Sequence, residues 1–279
     1  MTTAERRAVV ERIEAPYAVS ERWACRALGF ERSVVRYVPQ RQLRDAPLRA
    51  QLRELAAAYP RWGVPRLHWR LRRDGLPINY KRVERLYRLE HLAVRRRDRK
   101  RLAVPRVPRL PVDAPNTCWS IDFVSDQLAN GRRFRFFTVI DTGTRECLAI
   151  GVAHSLPATA VVDVLAQIGD TRGLPDRLSL DNGSEFRSQH FDAWAADHHV
   201  ALQFIQPGKP IQNAHIESFN ERFRDECLNP HWFLSLTDAR FHIEQYRRRY
   251  NTERPHAACF PLTPNEYALT FTHPAPLSA

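Results

Sequence analysis

Three acidic residues occupy positions from which they could act together on a phosphodiester. Asp122 lies inside the apolar run W-S-I-D-F-V, Asp181 ends the run L-S-L-D, and Glu217 lies on a predicted amphipathic helix. Mg²⁺ prefers carboxylate oxygens as ligands, and two such ions activate an oxygen nucleophile and stabilise the leaving oxygen. Three carboxylates on separate elements therefore suggest metal-assisted chemistry on a nucleic acid.

Each acid taken alone has a simpler interpretation. Asp122 could be structural, although aspartate is disfavoured inside a strand. Asp181 precedes Asn182-Gly183 and could form an Asx turn, and Glu217 could be an ordinary exposed helix residue. The joint spacing is more specific, because 35 residues separate Asp181 from Glu217 and Arg224 follows seven residues later on the same predicted helix face.

The elements that must position these acids alternate from residue 116 onward. Strands are predicted over 119–124, 133–140, 146–153, 178–181 and 201–205, and helices over 158–168, over 191–199 and from residue 212. Asn130-Gly131 indicates a hairpin turn between the first two strands. The helix from residue 212 has an apolar stripe of Ile216, Phe219 and Phe223. This order is that of the ribonuclease H-like fold, an α/β domain with a mixed five-stranded sheet.

One more helix is predicted near the C-terminus, over residues 238–250. Thr237 is expected to be its N-cap, with Leu236 packed against Phe241 as a hydrophobic staple. A proline-rich tail is expected to follow this helix.

The first 40 residues are predicted to form three short helices, over 4–14, 21–28 and 32–38. Pro16 is expected to end the first helix, and Ser20 to cap the second. Cys25, Gly29 and Val35 have the spacing of a helix-turn-helix, in which two helices cross closely. An ordinary helical hairpin is the alternative interpretation.

A second helical unit is predicted from Pro47 to about residue 92. Leu48, Leu52 and Leu55 indicate one amphipathic helix, residues 66–74 a second, and Asn79 is expected to cap a third. Prolines spaced through a basic segment then predict a semi-extended linker that could lie along a phosphate backbone.

Charge is divided unevenly along the chain. Residues 1–110 contain 28 Lys and Arg against 11 Asp and Glu, a net +17, whereas residues 111–279 contain 15 against 20, a net −5. A solvated charged face is the usual interpretation of such a run, but charge of nearly one sign favours binding to a polyanion. The mildly acidic remainder suits carboxylates that hold cations.

Composition excludes several other classes of protein. The five cysteines are widely scattered without a C-x-x-C pair, so neither a disulfide framework nor a zinc knuckle is indicated. No apolar run approaches the roughly 20 residues of a membrane span, and the N-terminus does not resemble a signal peptide. A reducing cytoplasm is the expected location for such a chain.

Several motifs resemble those of one family. They are W-S-I-D-F-V, L-D-N-G-S-E-F, Q-P-G-K-P-I-Q-N-A-H-I-E-S-F-N-E-R-F-R-D-E-C-L-N, W-F-L-S-L-T-D-A-R, Y-N-T-E-R-P-H and the basic R-W-G-V-P-R-L-H-W-R-L-R-R-D-G. The chain resembles insertion-sequence transposases of the DDE type, which are related to retroviral integrases. More narrowly, it resembles the downstream-frame product, OrfB, of the insertion-sequence family encoded by two overlapping frames. The resemblance covers nearly the whole sequence.

The resemblance implies a function and a division into domains. Asp122, Asp181 and Glu217 would form the metal-binding catalytic triad for Mg²⁺ or Mn²⁺, with two ions, and Arg224 would contact DNA. The implied domains are a helix-turn-helix segment (1–40), a basic helical DNA-binding domain (41–94), a basic and proline-rich linker (95–113), an integrase-like catalytic domain (114–268) and a tail (269–279). Further candidate DNA contacts are Lys209, Asn213, Arg66, Arg70, Lys81, Arg82, Arg95, Arg96 and Arg97.

The implied reaction is cleavage and transfer of DNA strands at the ends of an insertion element. Element terminal repeats and target DNA would be the substrates, and a homo-oligomer is expected because two ends must be paired. A frameshift fusion with an upstream-frame protein is a further expectation, and no membrane partner is expected. A ribonuclease H-fold nuclease without joining activity and a DNA-binding regulator are the alternatives.

Some residues near the motifs are expected to be structural. Asp141 is predicted to organise its turn, and Asp126 and Glu185 are acids that lie close to the triad only in sequence. His215 stands where the family usually has an aromatic or apolar residue, and we interpret it as a tolerated replacement. The retroviral His/Cys zinc domain has no counterpart in this sequence.

Overall fold

The computed structural model describes residues 1–37, 40–94, 114–181, 183, 186, 188–205 and 213–272. Two compact units make up the chain. The first contains Met1–Ala58 and Lys81–Leu92, and the second contains Tyr59–Tyr80 and Ala93–Ala279. Among the described residues, every helix is too short or too polar to span a bilayer.

Six helices precede the sheet in the part of the chain that the structure describes. They are α1 (Thr3–Tyr17), α2 (Glu21–Ala27), α3 (Arg32–Arg36), α4 (Gln40–Ala58), α5 (Val64–Arg73) and α6 (Tyr80–Leu89). Helix α5 belongs to the second compact unit, and the other five belong to the first, apart from Tyr80.

The predicted packing of α2 and α3 is confirmed. Ser20 caps α2 by accepting a hydrogen bond from the Trp23 N–H at 3.3 Å. Gly29 turns the chain with a φ of +66°, which glycine adopts without steric cost. Cys25 and Val35 are buried in one small core, so the two helices meet as the spacing predicts.

Two predictions about prolines in this unit are wrong. Pro16 does not end α1, which continues to Tyr17, and α4 begins at Gln40, seven residues before Pro47. A proline removes one backbone hydrogen bond, but Pro47 lies inside α4 without ending it. Asp45, two residues before it, is 4% exposed and pairs with Arg82 at 2.8 Å.

The second unit is built around a five-stranded sheet. Its strands are β1 (Cys118–Gln127), β2 (Arg133–Asp141), β3 (Cys147–Ala153), β4 (Arg177–Leu180) and β5 (Ala201–Phe204). Helices α7 (Ala158–Arg172), α8 (Gln189–Asp197), α9 (Ala214–Phe223), α10 (Leu236–Thr252) and α11 (Pro264–Thr272) accompany it, and a π-helical segment (Arg224–Leu228) directly follows α9.

The strand order in space is β3-β2-β1-β4-β5. Strands β1, β2 and β3 pair antiparallel, whereas β4 pairs parallel to β1 and β5 parallel to β4. Parallel neighbours need a crossover, and α7 and α8 lie in the connections that lead to β4 and β5. The predicted ribonuclease H-like fold with a mixed five-stranded sheet is confirmed.

Alternation along β1 divides the core between the two faces of the sheet. Trp119 and Ile121 are fully buried in the cluster that includes residues of α7 and α8. Val124 points the other way, into the cluster that contains Ile216 and Phe219 of α9 and residues of α10. Asp122 has the same parity as Val124, so its side chain belongs to the α9 face.

The C-terminal helices differ from their prediction. Ser235 caps α10 by accepting from the Asp238 N–H at 3.1 Å, so Thr237 is not the N-cap. Phe241 is 61% exposed and therefore does not form the predicted staple with Leu236. The expected proline-rich tail contains α11, whose Glu266 forms an ion pair with Arg73 of α5.

Candidate functional site

The first two acids lie on neighbouring parallel strands. Trp119 pairs with Leu178 and Ser120 with Ser179, and this register, continued by two residues, sets Asp181 beside Asp122. Parallel strands carry their carboxyl ends to one edge of a sheet. Strand β4 ends at Leu180, so Asp181 follows the strand immediately.

Helix α9 presses a polar side chain against Asp122. The Asn220 Nδ2 donates to Oδ2 of Asp122 at 2.7 Å, and the Asn220 Oδ1 accepts from the Thr138 hydroxyl at 3.1 Å. Thr138 lies directly opposite Asp122 on β2. Asn220 follows Glu217 by three residues, so both belong to one helix face, and α9 brings Glu217 towards β1.

The pKa of Asp122 depends on its burial and on the charges of the other two acids. This pKa is raised to about 6, mainly by burial and also by the nearby negative charges of Asp181 and Glu217. Hydrogen bonds from the Phe123 N–H and from Asn220 act in the opposite direction. The structure therefore brings the three predicted carboxylates within electrostatic range of one another, where a cation would relieve their repulsion.

The three acids form an open group. Asp181 is exposed, and its Oδ1 accepts from the Gly183 N–H at 3.0 Å, which is the Asx turn considered above. Glu217 is exposed on α9. Within the ranges that the structure describes, no three acidic, histidine or cysteine side chains lie close enough to enclose a metal ion.

Arg224 does not belong to the predicted α-helix. Helix α9 ends at Phe223, and Arg224 begins the π-helical segment, in which the Asn229 N–H donates to the Arg224 carbonyl at 2.8 Å. The Arg224 guanidinium donates to the carbonyl of Ser125 at 3.4 Å. Arg224 thus lies against β1 three residues beyond Asp122.

The other predicted DNA contacts are dispersed. Arg66 pairs with Glu226 at 3.3 Å, Arg70 with Asp74 at 3.2 Å, and Arg82 with Asp45. Lys81 is exposed on α6, whereas Asn213 is only 3% exposed at the start of α9. Lys209, Arg95, Arg96 and Arg97 lie outside the described residues.

The acids set aside from the triad behave as structural residues where they are described. Asp141 is fully buried, and its Oδ1 accepts from the Gly143 N–H at 2.8 Å, which confirms that it organises its turn. Asp126 accepts from the Gln127 N–H. His215 lies 2.6 Å from the Arg145 guanidinium through its Nδ1. Glu185 falls outside the described residues.

Sequence reasoning missed the contribution of Asn220 and Thr138. Asn220 follows Glu217 by three residues, a helical spacing that puts it on the face of a candidate ligand. Thr138 became identifiable only through the β1–β2 register, which pairs it with Asp122. Neither residue belongs to a type that titrates, so neither attracts notice in a search for acids and bases.

A mixed sheet in this order, with acids on its central strands, defines an integrase-type ribonuclease H-like domain. Two models described as Integrase core domain match residues 112–210 and 198–264, and one described as HTH-like domain matches residues 42–101. The chain is 45% identical over 258 residues to the insertion element IS407 uncharacterized 31.7 kDa protein of Burkholderia multivorans, covering 90% of this chain and 91% of that protein.

A second relative is named as a transposase. The transposase InsF for insertion sequence IS3A of Escherichia coli is 25% identical over 281 residues, covering 92% of this chain and 96% of that protein. Among solved structures, the HTLV-2 integrase catalytic core domain in complex with magnesium covers 56% of this chain and 97% of its own, with 17% identity and a TM-score of 0.42. The chain belongs to the family of insertion-element transposases with an integrase core domain.

Proposed function

We propose that this transposase cleaves and joins DNA strands at insertion-element ends with Asp122, Asp181 and Glu217 as its catalytic residues. The observation that carries the proposal is the environment of Asp122. A half-buried carboxylate with two further acids nearby has a pKa of about 6, and such a cluster is costly unless a cation neutralises it. Strand-transfer chemistry uses this combination of charge and oxygen ligands.

The residues present fit divalent metal ions by their chemistry. Asp122, Asp181 and Glu217 supply the hard oxygen ligands that Mg²⁺ and Mn²⁺ prefer, and we infer that they hold two ions. When bound, such ions activate the attacking oxygen and stabilise the leaving oxygen. Binding is expected to draw the three carboxylates together, since each then faces a cation in place of like charges.

The surrounding residues of the chain orient this group. Asn220 holds one carboxylate oxygen of Asp122 at 2.7 Å, and Thr138 fixes the Asn220 amide, so the rotamer of Asp122 is set before metal binds. Arg224, whose guanidinium binds the Ser125 carbonyl of β1, is proposed to contact a DNA phosphate. The nucleophile is water or a terminal 3′-hydroxyl, and no covalent protein–DNA intermediate is expected.

The substrate and the assembly follow from the whole chain. The net charge of +17 over residues 1–110 supports binding of element ends by the helical region through phosphate contacts. Target DNA is the second substrate. Two ends must be brought together, so we propose a homo-oligomer, and the active form is proposed to include a frameshift fusion with an upstream-frame protein.

One assay tests the proposal. Purified protein is mixed with Mg²⁺ or Mn²⁺ and labelled element-end DNA, and both cleaved and joined products are measured. Glu217→Gln removes a metal ligand and is expected to reduce both products to the level of a metal-free control. Asp163→Asn, a change to an exposed acid of α7, is the control and is expected to retain both.

The alternatives give different results in the same assay. Cleavage without joining by the wild-type chain would identify a nuclease, and DNA binding without any strand chemistry would identify a regulator. Full activity of the Glu217→Gln variant would show that the proposed triad is wrong even if the chain is a transposase.

A further inference from the structure

One face of β1 is apolar and packed against the core up to Phe123, and it is polar and exposed beyond that residue. On β1, Trp119 and Ile121 are fully buried and Phe123 packs against the same core. The next two residues with this parity are Ser125 and Gln127, and both are exposed. The helices that cover this face therefore leave the last part of β1 open.

Strand β2 places arginines on the same open face. Arg135 lies directly opposite Ser125, and Arg133 lies directly opposite Gln127. His154, just after β3, contacts the Arg133 carbonyl at 3.0 Å through its Nδ1. We name these five residues (Ser125, Gln127, Arg133, Arg135 and His154) the sheet-end patch, and they line an open groove of about 480 Å³.

The positive charge of Arg135 in the patch is held in position by an aromatic ring. The Arg135 guanidinium lies 4.6 Å from the centroid of the Phe123 ring, and Phe123 stacks on the buried Phe186 at 5.1 Å. A cation held over an aromatic face is directed without losing its charge. Arg133 is exposed and forms no ion pair with a carboxylate among the described residues.

Asp126 also lines the groove, and its single negative charge offsets only one of the two arginines. Its Oδ1 accepts from the N–H of Gln127 at 2.8 Å, and its position on β1 has the parity of the opposite face. The surrounding stretch, residues 111–279, has a net charge of −5. The patch is therefore a local cationic surface in a mildly acidic part of the chain.

The patch lies beyond the candidate catalytic site along β1, on the face of the strand opposite to the Asp122 side chain. Ser125 is three residues beyond Asp122 on the same strand, and its carbonyl accepts from Arg224. Arginine, serine, glutamine and histidine side chains on a strand face suit phosphate oxygens, which carry no sequence information.

We propose that the sheet-end patch binds the sugar–phosphate backbone of the target DNA during strand transfer. This inference rests on the proposed function, since it requires a second DNA at the acids. Cleavage needs only the element end, whereas joining also needs the target. A surface that contacts phosphates of any sequence, on the other face of the same strand and beyond the acids, fits a DNA that extends past the reacting site to be joined.

The proposal predicts a selective loss of joining. The double variant Arg133→Gln and Arg135→Gln is expected to lower the ratio of joined to cleaved product about tenfold, because two phosphate contacts are lost. Substitution of both residues by lysine keeps the charge and is expected to retain most of the joining. Arg248→Gln, at a residue that is 67% exposed on α10, is the control for loss of a surface charge.

A binding measurement tests the patch independently of catalysis. Affinity of the full chain for a duplex without an element end is measured at several salt concentrations. The double glutamine variant is expected to lower the slope of log K against log salt by about one for each phosphate contact removed. The Arg248→Gln slope is expected to match that of the wild-type chain.

The outcomes separate the patch from the proposed function. Equal loss of cleavage and joining would show that the patch holds the element end, and unchanged joining with an unchanged salt slope would show that it holds no DNA. Either result overturns the inference while Glu217→Gln still decides the catalytic proposal. A wild-type chain without strand chemistry would refute the proposed function, and the salt slope would then decide the patch alone.

Discussion

At the scale of single residues, the site depends on how one carboxylate is held. Asp122 is half-buried, and each of its oxygens accepts a hydrogen bond, from the Phe123 N–H and from Asn220. These bonds favour its charged form, whereas burial and the two neighbouring acids disfavour it. The balance leaves a carboxylate with fixed geometry that gains strongly from a cation.

Asn220 is expected to control metal binding through Asp122. Asn220→Leu keeps a similar volume but removes the bond to Oδ2, so the carboxylate loses its orientation. Loss of such an outer partner typically costs about 10–100-fold in metal affinity or activity. The metal concentration for half-maximal cleavage measures the effect, and a rise is expected.

Thr138→Val is the matched control for this change. It removes the hydroxyl that donates to Asn220 but leaves the bond between Asn220 and Asp122, so its effect is expected to be smaller. A thermal melt separates loss of folding from loss of metal binding. A wild-type metal requirement in folded Asn220→Leu protein would contradict the positioning role.

At the scale of elements, the N-cap residue of helix α10 can be tested by substitution. The Ser235 hydroxyl accepts from the Asp238 N–H at 3.1 Å, and the Asp238 carboxylate accepts from the Leu234 N–H at 2.9 Å. Ser235→Ala is expected to lower the free energy of unfolding by about 1 kcal/mol, the usual cost of a lost N-cap. Urea denaturation measures it.

The adjacent threonine provides the comparison. Thr237→Ala is expected to change the free energy of unfolding by less than about 0.5 kcal/mol, because Thr237 lies inside the first turn and is not the cap. If Thr237→Ala cost more than Ser235→Ala, the helix would begin where the sequence alone predicts it.

Elements with strong local signals could be predicted from the sequence. Trp119 and Ile121 have the opposite parity to Asp122 in the predicted strand, and the structure buries both in one cluster on the face away from Asp122. Ile216 and Phe219 likewise defined the buried stripe of α9. In these elements the apolar residues recur with the period of the backbone, so the sequence pattern predicts which side chains are buried.

Elements that depend on distant partners could not be predicted. Glu226 in the π-helical segment pairs with Arg254 at 2.8 Å and with Arg66 at 3.3 Å. Its partners are 28 and 160 residues away in sequence. Local helix propensity gives no information about such distant pairs. The sequence therefore predicted one continuous helix through Arg224. The same reason explains the missed α11, whose Glu266 pairs with Arg73.

At the scale of the whole molecule, arginine is concentrated even where the net charge is negative. In the second compact unit, His256 of the Y-N-T-E-R-P-H motif is surrounded by arginines from several segments. Its pKa is lowered to about 3, mainly by burial and also by the positive charges of Arg222, Arg254, Arg145 and Arg66. This histidine is therefore held neutral in the folded chain.

The neutral state of His256 predicts a stability that depends on pH. The unfolded imidazole, with a pKa near 6.5, binds a proton before the folded one does. The stabilisation is therefore fully present above pH 6.5 and is lost as the pH falls towards 3. Between pH 7.5 and pH 5 the loss is expected to be about 2 kcal/mol.

A glutamine at this position removes the titration and distinguishes the cause. His256→Gln retains a side-chain acceptor for the Ala258 N–H, which His256 binds at 3.2 Å, and its urea midpoint is expected to fall less than that of the wild-type chain between pH 7.5 and pH 5. His190→Gln removes an exposed histidine of α8 and is expected to leave the wild-type pH dependence intact. Glu266, whose pKa is lowered to about 2 by its bond with Arg73, contributes only below its ordinary value of 4.5, outside this window. An equal fall in the His256→Gln variant would show that the acid sensitivity arises elsewhere in the fold.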